Sequence, residues 1–253
     1  MSWDITRQLL LPAAVGNVQG TLHVSTTRTT QPLSDAQNHV PAAYVIVRDF
    51  LSTDEVHKLH AWFVDPVSPA TATTFDGEPL DAAAKTMEPT VLQLYGQPEP
   101  LERRFPSIFQ RLLALKDVVG RALGLDEEEL DEVTYAQDVR HITYHAKHGC
   151  PWHVDDPVSH FNTVMLLSKP GADFGGGNFM VHAGPCLCGD EGRPLDLCLG
   201  DAVIYSAAKV DHAVSVVTCG ERRICLVELR RRSLARCGQR LPRVDQTPHV
   251  PGL

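Results

Sequence analysis

His153 and Asp155 are separated by a single residue, and His212 lies far downstream, followed by Arg222 and Arg223. On an extended strand, residues two apart point to the same face. His153-Val154-Asp155 therefore aims one imidazole and one carboxylate in one direction. One distant histidine, His212, completes a set of two imidazoles and a carboxylate. Such a set grips one face of a metal, leaves the opposite positions open and suits non-haem ferrous iron. An arginine nearby adds a second function. Its planar guanidinium can hold the far carboxylate of an acidic co-substrate in a two-point fork.

Local signals define the elements that must carry these groups. Ala43 to Val47 is β-branched and aromatic, and predicts a strand. Ser52-Thr53-Asp54-Glu55 is a capping box, so a helix should start there and run through Leu59 and Trp62. Ser107 to Leu123 repeats Ile108, Leu112, Leu115, Val119 and Leu123 at helical spacing, with Gly124 as a stop. From Val133 the period becomes strand-like. Strands are predicted at Ala136–Tyr144, Trp152–Val154, Thr163–Leu167, Asn178–His182, Ala202–Tyr205, His212–Val217 and Arg223–Leu229. Gly175-Gly176-Gly177, Gly200-Asp201 and Cys219-Gly220 read as turns between them.

Helices first and many short strands afterwards predict a mainly β fold with flanking helices: a double-sheet jelly roll packed against N-terminal helices. Residues 1–40 read as an N-terminal extension, opening with a short helix or extended segment and no signal peptide. Residues 41–235 read as one domain and 236–253 as a tail. Pro66 to Pro100 reads as a long loop, either a lid over the site or plain surface, with one strand at Thr90–Tyr95.

Composition sets outer limits. With 253 residues and 43% hydrophobic content, the chain can bury one sizeable core. A net charge of −8 and a pI near 5.8 argue against attraction to nucleic acid or anionic membranes by bulk charge. No apolar run reaches the roughly 20 residues a membrane span needs. Seven cysteines at irregular spacing do not make a fully paired framework. They imply reduced thiols and a soluble, intracellular, cytoplasm-like setting; an oxidising compartment with one free thiol is the alternative.

The ordered motifs resemble the Fe(II)/2-oxoglutarate-dependent dioxygenases, specifically their prolyl 4-hydroxylase-like branch. A strand leads into Phe50-Leu51-Ser52-Thr53-Asp54-Glu55. Tyr144 and Gly149 precede His153-Val154-Asp155. Phe174-Gly175-Gly176-Gly177-Asn178-Phe179 forms a glycine turn into a core strand. Gly200-Asp201-Ala202-Val203-Ile204-Tyr205 precedes His212, and Gly220-Glu221-Arg222 closes the pattern. His-x-Asp alone is a weak motif, and the ordered set is a strong one. The resemblance implies a double-stranded β-helix fold, with His153, Asp155 and His212 as catalytic Fe(II) ligands. It also implies 2-oxoglutarate and O₂ as co-substrates, ascorbate as an optional reductant, and hydroxylation of an unactivated C–H bond with release of succinate and CO₂. The substrate it implies is a prolyl residue of a peptide or protein; a free amino acid, small metabolite or modified base is the alternative.

By the same resemblance Arg222 takes the far carboxylate of 2-oxoglutarate, with Arg223 as the alternative one register away. Tyr144 is expected to hydrogen-bond the co-substrate. An acid at position 155 favours hydroxylation over halogenation. Where many relatives carry a second tyrosine and a threonine, this chain aligns Leu166 and Asn162, which implies a more apolar pocket floor.

Each singled-out residue also has a plainer reading. His141, His145 and His148 with Cys150 fit no established zinc signature. Cys186, Cys188 and Cys198 read as reduced thiols. Asp156 should face away from Asp155. Trp152 either flanks the substrate or packs beneath the sheet. Arg230-Arg231-Arg232 and Arg103-Arg104 read as solvated charge. Two rival functions stay open: a non-catalytic metal-binding jelly-roll module, and a zinc hydrolase using the same ligands without oxygen.

Overall fold

A capping box starts the first helix, as the sequence predicts. Ser52 accepts from the Glu55 backbone N–H, and the Glu55 carboxylate accepts from the Ser52 backbone N–H, opening α1 (Thr53–Val64). Val56, Leu59 and Phe63 recur at helical spacing and are buried. Burial opposes ionisation of Glu55, but the Ser52 N–H and Arg111 outweigh it and hold the carboxyl below its ordinary value. Arg111 Nη2 lies 2.7 Å from Glu55 Oε1 and so ties a later helix to this one.

The computed structural model describes residues 3–10, 19–26, 42–65, 71–73, 89–95, 99–122, 125–133, 135–155, 159–182, 192–207 and 209–230. In chain order, β1 (Trp3–Leu10), β2 (Gln19–Thr26) and β3 (Ala42–Val47) precede α1. Then come β4 (Thr71–Thr73), β5 (Thr90–Tyr95), α2 (Glu99–Arg104), α3 (Pro106–Ala122) and α4 (Glu127–Glu132). The rest is strand: β6 (Tyr135–His145), β7 (Cys150–His153), β8 (Ser159–Leu166), β9 (Phe174–Gly176), β10 (Phe179–Val181), β11 (Arg193–Pro194), β12 (Ala202–Ser206), β13 (His212–Val214) and β14 (Val217–Arg230).

These strands form two antiparallel sheets. The larger runs β1-β2-β3-β12-β8-β14-β6-β5-β4, with β9 also paired to β14. The smaller runs β11-β10-β13-β7. The central strands β8 and β12 of the larger sheet are buried on both faces and read as nearly unbroken buried runs. On β14, Cys225, Val227 and Leu229 join the core beneath the helices, with Leu59, Phe63, Leu112 and Leu115. Ile224 and Leu226 alternate to the opposite face and join a second core, between the sheets, with Ile142, Val164 and Phe179. Arg222 and Glu228 share that inner parity, opposite Tyr144 and Asp138 of β6. The inner face is thus apolar in the middle and polar at both ends.

Several expectations need correction. Of the two readings for the start of the chain, the extended one fits: β1 pairs with β2, and β2 with β3, extending the large sheet. The helices α2 and α4 are additional. For α4 the signal was present, because Asp126 and Glu129 form a second capping box. His212–Val217 is not one strand: β13 ends at Val214, and β14 begins at Val217. Conversely, Cys219-Gly220 does not end a strand. Gly220 has φ +71° and bends β14 without breaking it; a Cβ there would sit 2.0 Å from the Asp173 carbonyl oxygen. Among the described residues no helix is long and apolar enough to cross a membrane. The C-terminal tail, Cys186, Cys188, Asp156 and most of the Pro66–Pro100 segment lie outside the described residues.

Candidate metal centre

Strand pairing brings the distant histidine to the His-x-Asp pair. β13 lies antiparallel to β7 with His212 directly opposite His153. Asp155 follows two residues past the end of β7, on the same side as His153. One donor atom from each of His153, Asp155 and His212 lies within 4.8 Å of the others. His153 Nε2 is 3.5 Å from Asp155 Oδ1, and His212 Nε2 is 3.7 Å from Asp155 Oδ2. Among the described residues no other cluster of histidine, cysteine and acid converges in this way.

The tautomers of both rings follow from their backbone partners. His153 Nδ1 lies 2.9 Å from the Pro151 carbonyl oxygen, and His212 Nδ1 lies 3.0 Å from that of Val210. A carbonyl oxygen only accepts, so each Nδ1 carries the proton and donates it. With Nδ1 as the backbone donor, each ring turns Nε2 towards the centre. A backbone carbonyl accepting from the other ring nitrogen is the usual support of a metal-binding histidine.

Charge at the centre favours a cation. Burial raises the Asp155 carboxyl, but the His153 hydrogen bond and the two imidazoles outweigh it and hold the acid at about 2. Burial lowers His153, yet its hydrogen bonds to Asp155 and Cys150 carry it up to about 11. Asp155 thus draws positive charge to the Nε2 position, where a metal competes with a proton. Burial dominates at His212 and lowers it, which keeps that ring neutral. Two imidazole nitrogens, once a metal displaces the proton at His153, and an anionic carboxylate fit a divalent metal such as Fe(II).

Arg222 occupies the far end of the same interior. Its guanidinium is 1% exposed and lies over the Tyr144 ring at 5.3 Å. Nη1 has no hydrogen-bond partner, and no acidic side chain pairs with the group among the described residues. Burial lowers its basicity. The cavity beside it, about 270 Å³, is walled by Leu166, Phe179, Leu195 and Leu197, with Asn178 and Asp196 also lining it. Phe179 connects this cavity to the triad, because its ring stacks on His212 at 5.3 Å and 16°. Gly177 is required here: with φ +60°, its missing Cβ would lie 3.0 Å from Arg222 Cδ. A buried guanidinium whose Nη1 has no partner, set in a cavity lined by apolar and polar residues, fits the carboxylate end of a small dicarboxylic acid.

The remaining candidates sort by strand parity. Arg223 points to the other face and pairs with Glu221 at 3.2 Å. Tyr144 is buried beside Arg222, and burial pushes its phenol up. Leu166 lines the Arg222 cavity as aligned. Trp152 faces outwards and packs on His182 with centroids 3.8 Å apart, away from the triad. His141 faces the helices, with Nε2 2.9 Å from His60 Nδ1, while His145 meets Thr90 and Glu221. Arg230 is not solvated: it bonds Glu228 at 3.2 Å, within a buried group that also holds Arg140 and Asp138. That group escaped the sequence reading, because Asp138 and Arg140 sit in an apolar strand with no motif of their own. Also missed was Tyr205, whose hydroxyl donates to Asp155 Oδ2 at 2.7 Å. Its place in Gly200–Tyr205, ahead of His212, was the available signal.

No family model and no curated protein matches the sequence. Solved structures do match the fold. An oxidoreductase of the 2OG-Fe(II) oxygenase family from Burkholderia pseudomallei aligns with TM-score 0.51 and 18% identity, over 74% of this chain and 84% of that one. A prolyl hydroxylase from Trichoplax adhaerens, solved with a peptide fragment of the hypoxia inducible factor oxygen degradation domain, aligns with TM-score 0.53 and 11% identity, over 78% and 87%. The two-sheet jelly roll that brings His153, Asp155 and His212 together is therefore the fold of the 2OG-Fe(II) oxygenase family protein and of the prolyl hydroxylase.

Proposed function

We propose that this chain is an Fe(II)- and 2-oxoglutarate-dependent oxygenase that hydroxylates an unactivated C–H bond, with a prolyl residue of a peptide or protein as the preferred substrate. One observation carries the reading: the His153-Asp155-His212 cluster and the buried Arg222, with its free Nη1, share one interior, bridged by Phe179. His153, Asp155 and His212 would hold the iron, which when bound supplies the activation of dioxygen. Arg222 binds the far carboxylate of 2-oxoglutarate and orients the acid along the cavity towards the triad. Phe179, Leu166, Leu195 and Leu197 exclude water from that path. Tyr144, held against Arg222, adds a phenolic donor at the carboxylate end.

Support for the substrate comes from charge. Arg140 lies 2.6 Å from Asp138 and 3.5 Å from Glu228, on the inner face and near Asp155. Polar groups on the inner face suit a polar peptide better than a lipid. The peptide held by the Trichoplax adhaerens prolyl hydroxylase supports the same class. Free thiols at Cys150, Cys198, Cys219 and Cys225 support a reducing, cytoplasm-like setting.

The test is aerobic incubation with Fe(II), 2-oxoglutarate and panels of proline-containing peptides and metabolites, with and without ascorbate. Succinate formation together with a product about 16 Da heavier (one oxygen atom) is the expected result. Turnover without oxygen would instead indicate a hydrolase. A metal-loaded chain that never forms succinate would overturn the oxygenase reading.

A further inference from the structure

The two oxygens of Asp155 stand in different surroundings. Oδ1 faces His153 Nε2 at 3.5 Å, and Oδ2 lies 3.7 Å from His212 Nε2. Oδ2 accepts from Asn162 Nδ2 at 2.7 Å and from Tyr205 Oη at 2.7 Å. The two donors sit side by side, because Asn162 of β8 pairs with Tyr205 of β12 in register. Both residues are buried, at 0% and 1% exposure. Hydrogen bonds to an ionised acceptor are roughly twice as strong as neutral ones, and in a dry setting they also fix its orientation. The Tyr205 hydroxyl has one proton and two neighbours, Asp155 Oδ2 at 2.7 Å and His212 Nε2 at 3.3 Å. The shorter contact takes the proton and leaves the His212 lone pair free.

We propose that Asn162 and Tyr205 are positioning residues that clamp Oδ2 of Asp155, so that Oδ1 alone serves the metal. This rests on the reading of His153, Asp155 and His212 as metal ligands. A carboxylate free to rotate can bind through both oxygens and fill an extra coordination position. The clamp holds that position open for the co-substrate and dioxygen. It also explains the polar asparagine on an inner strand face where Val164 and Leu166 follow at the same parity. Asn162 is therefore not only a departure at the pocket floor; it substitutes an amide that reaches the metal ligand itself.

The test uses Co(II), whose visible spectrum reports coordination number, on the full chain. Tyr205→Phe removes only the hydroxyl and keeps the ring that packs on His212 and Phe179, at 4.8 and 5.8 Å between centroids. Asn162→Ala removes the other donor. Each variant should keep the wild-type fold by circular dichroism, lose about tenfold to a hundredfold in Co(II) affinity, and show an altered visible band. If Asn162→Ala unfolds, Tyr205→Phe carries the test by itself. Variants that bind Co(II) within about twofold of wild type, with an unchanged spectrum, overturn the clamp and leave the metal centre standing. A wild-type chain that binds no Co(II) overturns the metal centre, and the clamp with it.

Discussion

Replacing Arg222 by methionine should strengthen the fold and cripple co-substrate binding at once. The guanidinium is 1% exposed, its Nη1 is unpartnered, and its stem is walled by Gly177 and Phe174. Methionine keeps most of that stem and its volume, so little cavity is created. Removing a buried charge with no counter-ion relieves desolvation. Exchanging buried ionic groups for apolar ones gains as much as about 1–4 kcal/mol, and the polar cavity at the head group keeps this case near the low end. A gain of about 1 kcal/mol raises Tm by roughly 2–4 °C in a chain of this size. Binding moves in the other direction. Losing one partner of a desolvated charge pair costs about 2–5 kcal/mol, which is about 30-fold to several thousandfold in Kd. Calorimetric titration of 2-oxoglutarate into the metal-loaded protein, beside a thermal melt of the metal-free protein, reads both numbers. An unchanged Kd would refute the assignment of Arg222. A variant that melts lower and binds normally would make the arginine a structural residue.

Alanine at His153, Asp155 or His212 should abolish metal-dependent turnover while circular dichroism stays native; full activity in any of the three would remove that residue from the ligand set. His141 supplies a pH dependence. Burial, with His60 and Arg223 nearby, lowers it from 6.5 to about 3, so the unfolded chain takes up the proton first. Its contribution is complete above pH 6.5 and shrinks as pH falls towards 3. Urea melts at pH 7 and pH 5 should therefore differ less for His141→Gln than for wild type, and an equal difference would contradict this. Asp201 accepts from Arg48 at 2.6 Å, from the Asp49 N–H at 3.0 Å and from the Cys198 N–H at 2.8 Å. Because Arg48 is half in water, Asp201→Ala should cost about 1–3 kcal/mol rather than the full value of a buried pair; a melt within error of wild type would show these bonds to be dispensable.

The sequence by itself determined what is local. Ser52 and Glu55 set the start of α1, because a capping box is closed by residues three apart. Apolar spacing set α3, and His153-Val154-Asp155 placed an imidazole and a carboxylate on one side by strand parity alone. Tertiary structure decided what depends on register between remote strands. His212 stands opposite His153 only because β13 pairs with β7 in that alignment. Arg222, not Arg223, turns inwards because β14 pairs with β6 in the register that sets Arg222 opposite Tyr144. Asn162 and Tyr205 meet at Asp155 through the pairing of β8 with β12, and no local pattern encodes that meeting. A one-residue slip between strands changes no propensity and no composition, yet it reverses every side chain. That is why spacing along the chain could nominate the donors, while only the packed sheets could join them into a site.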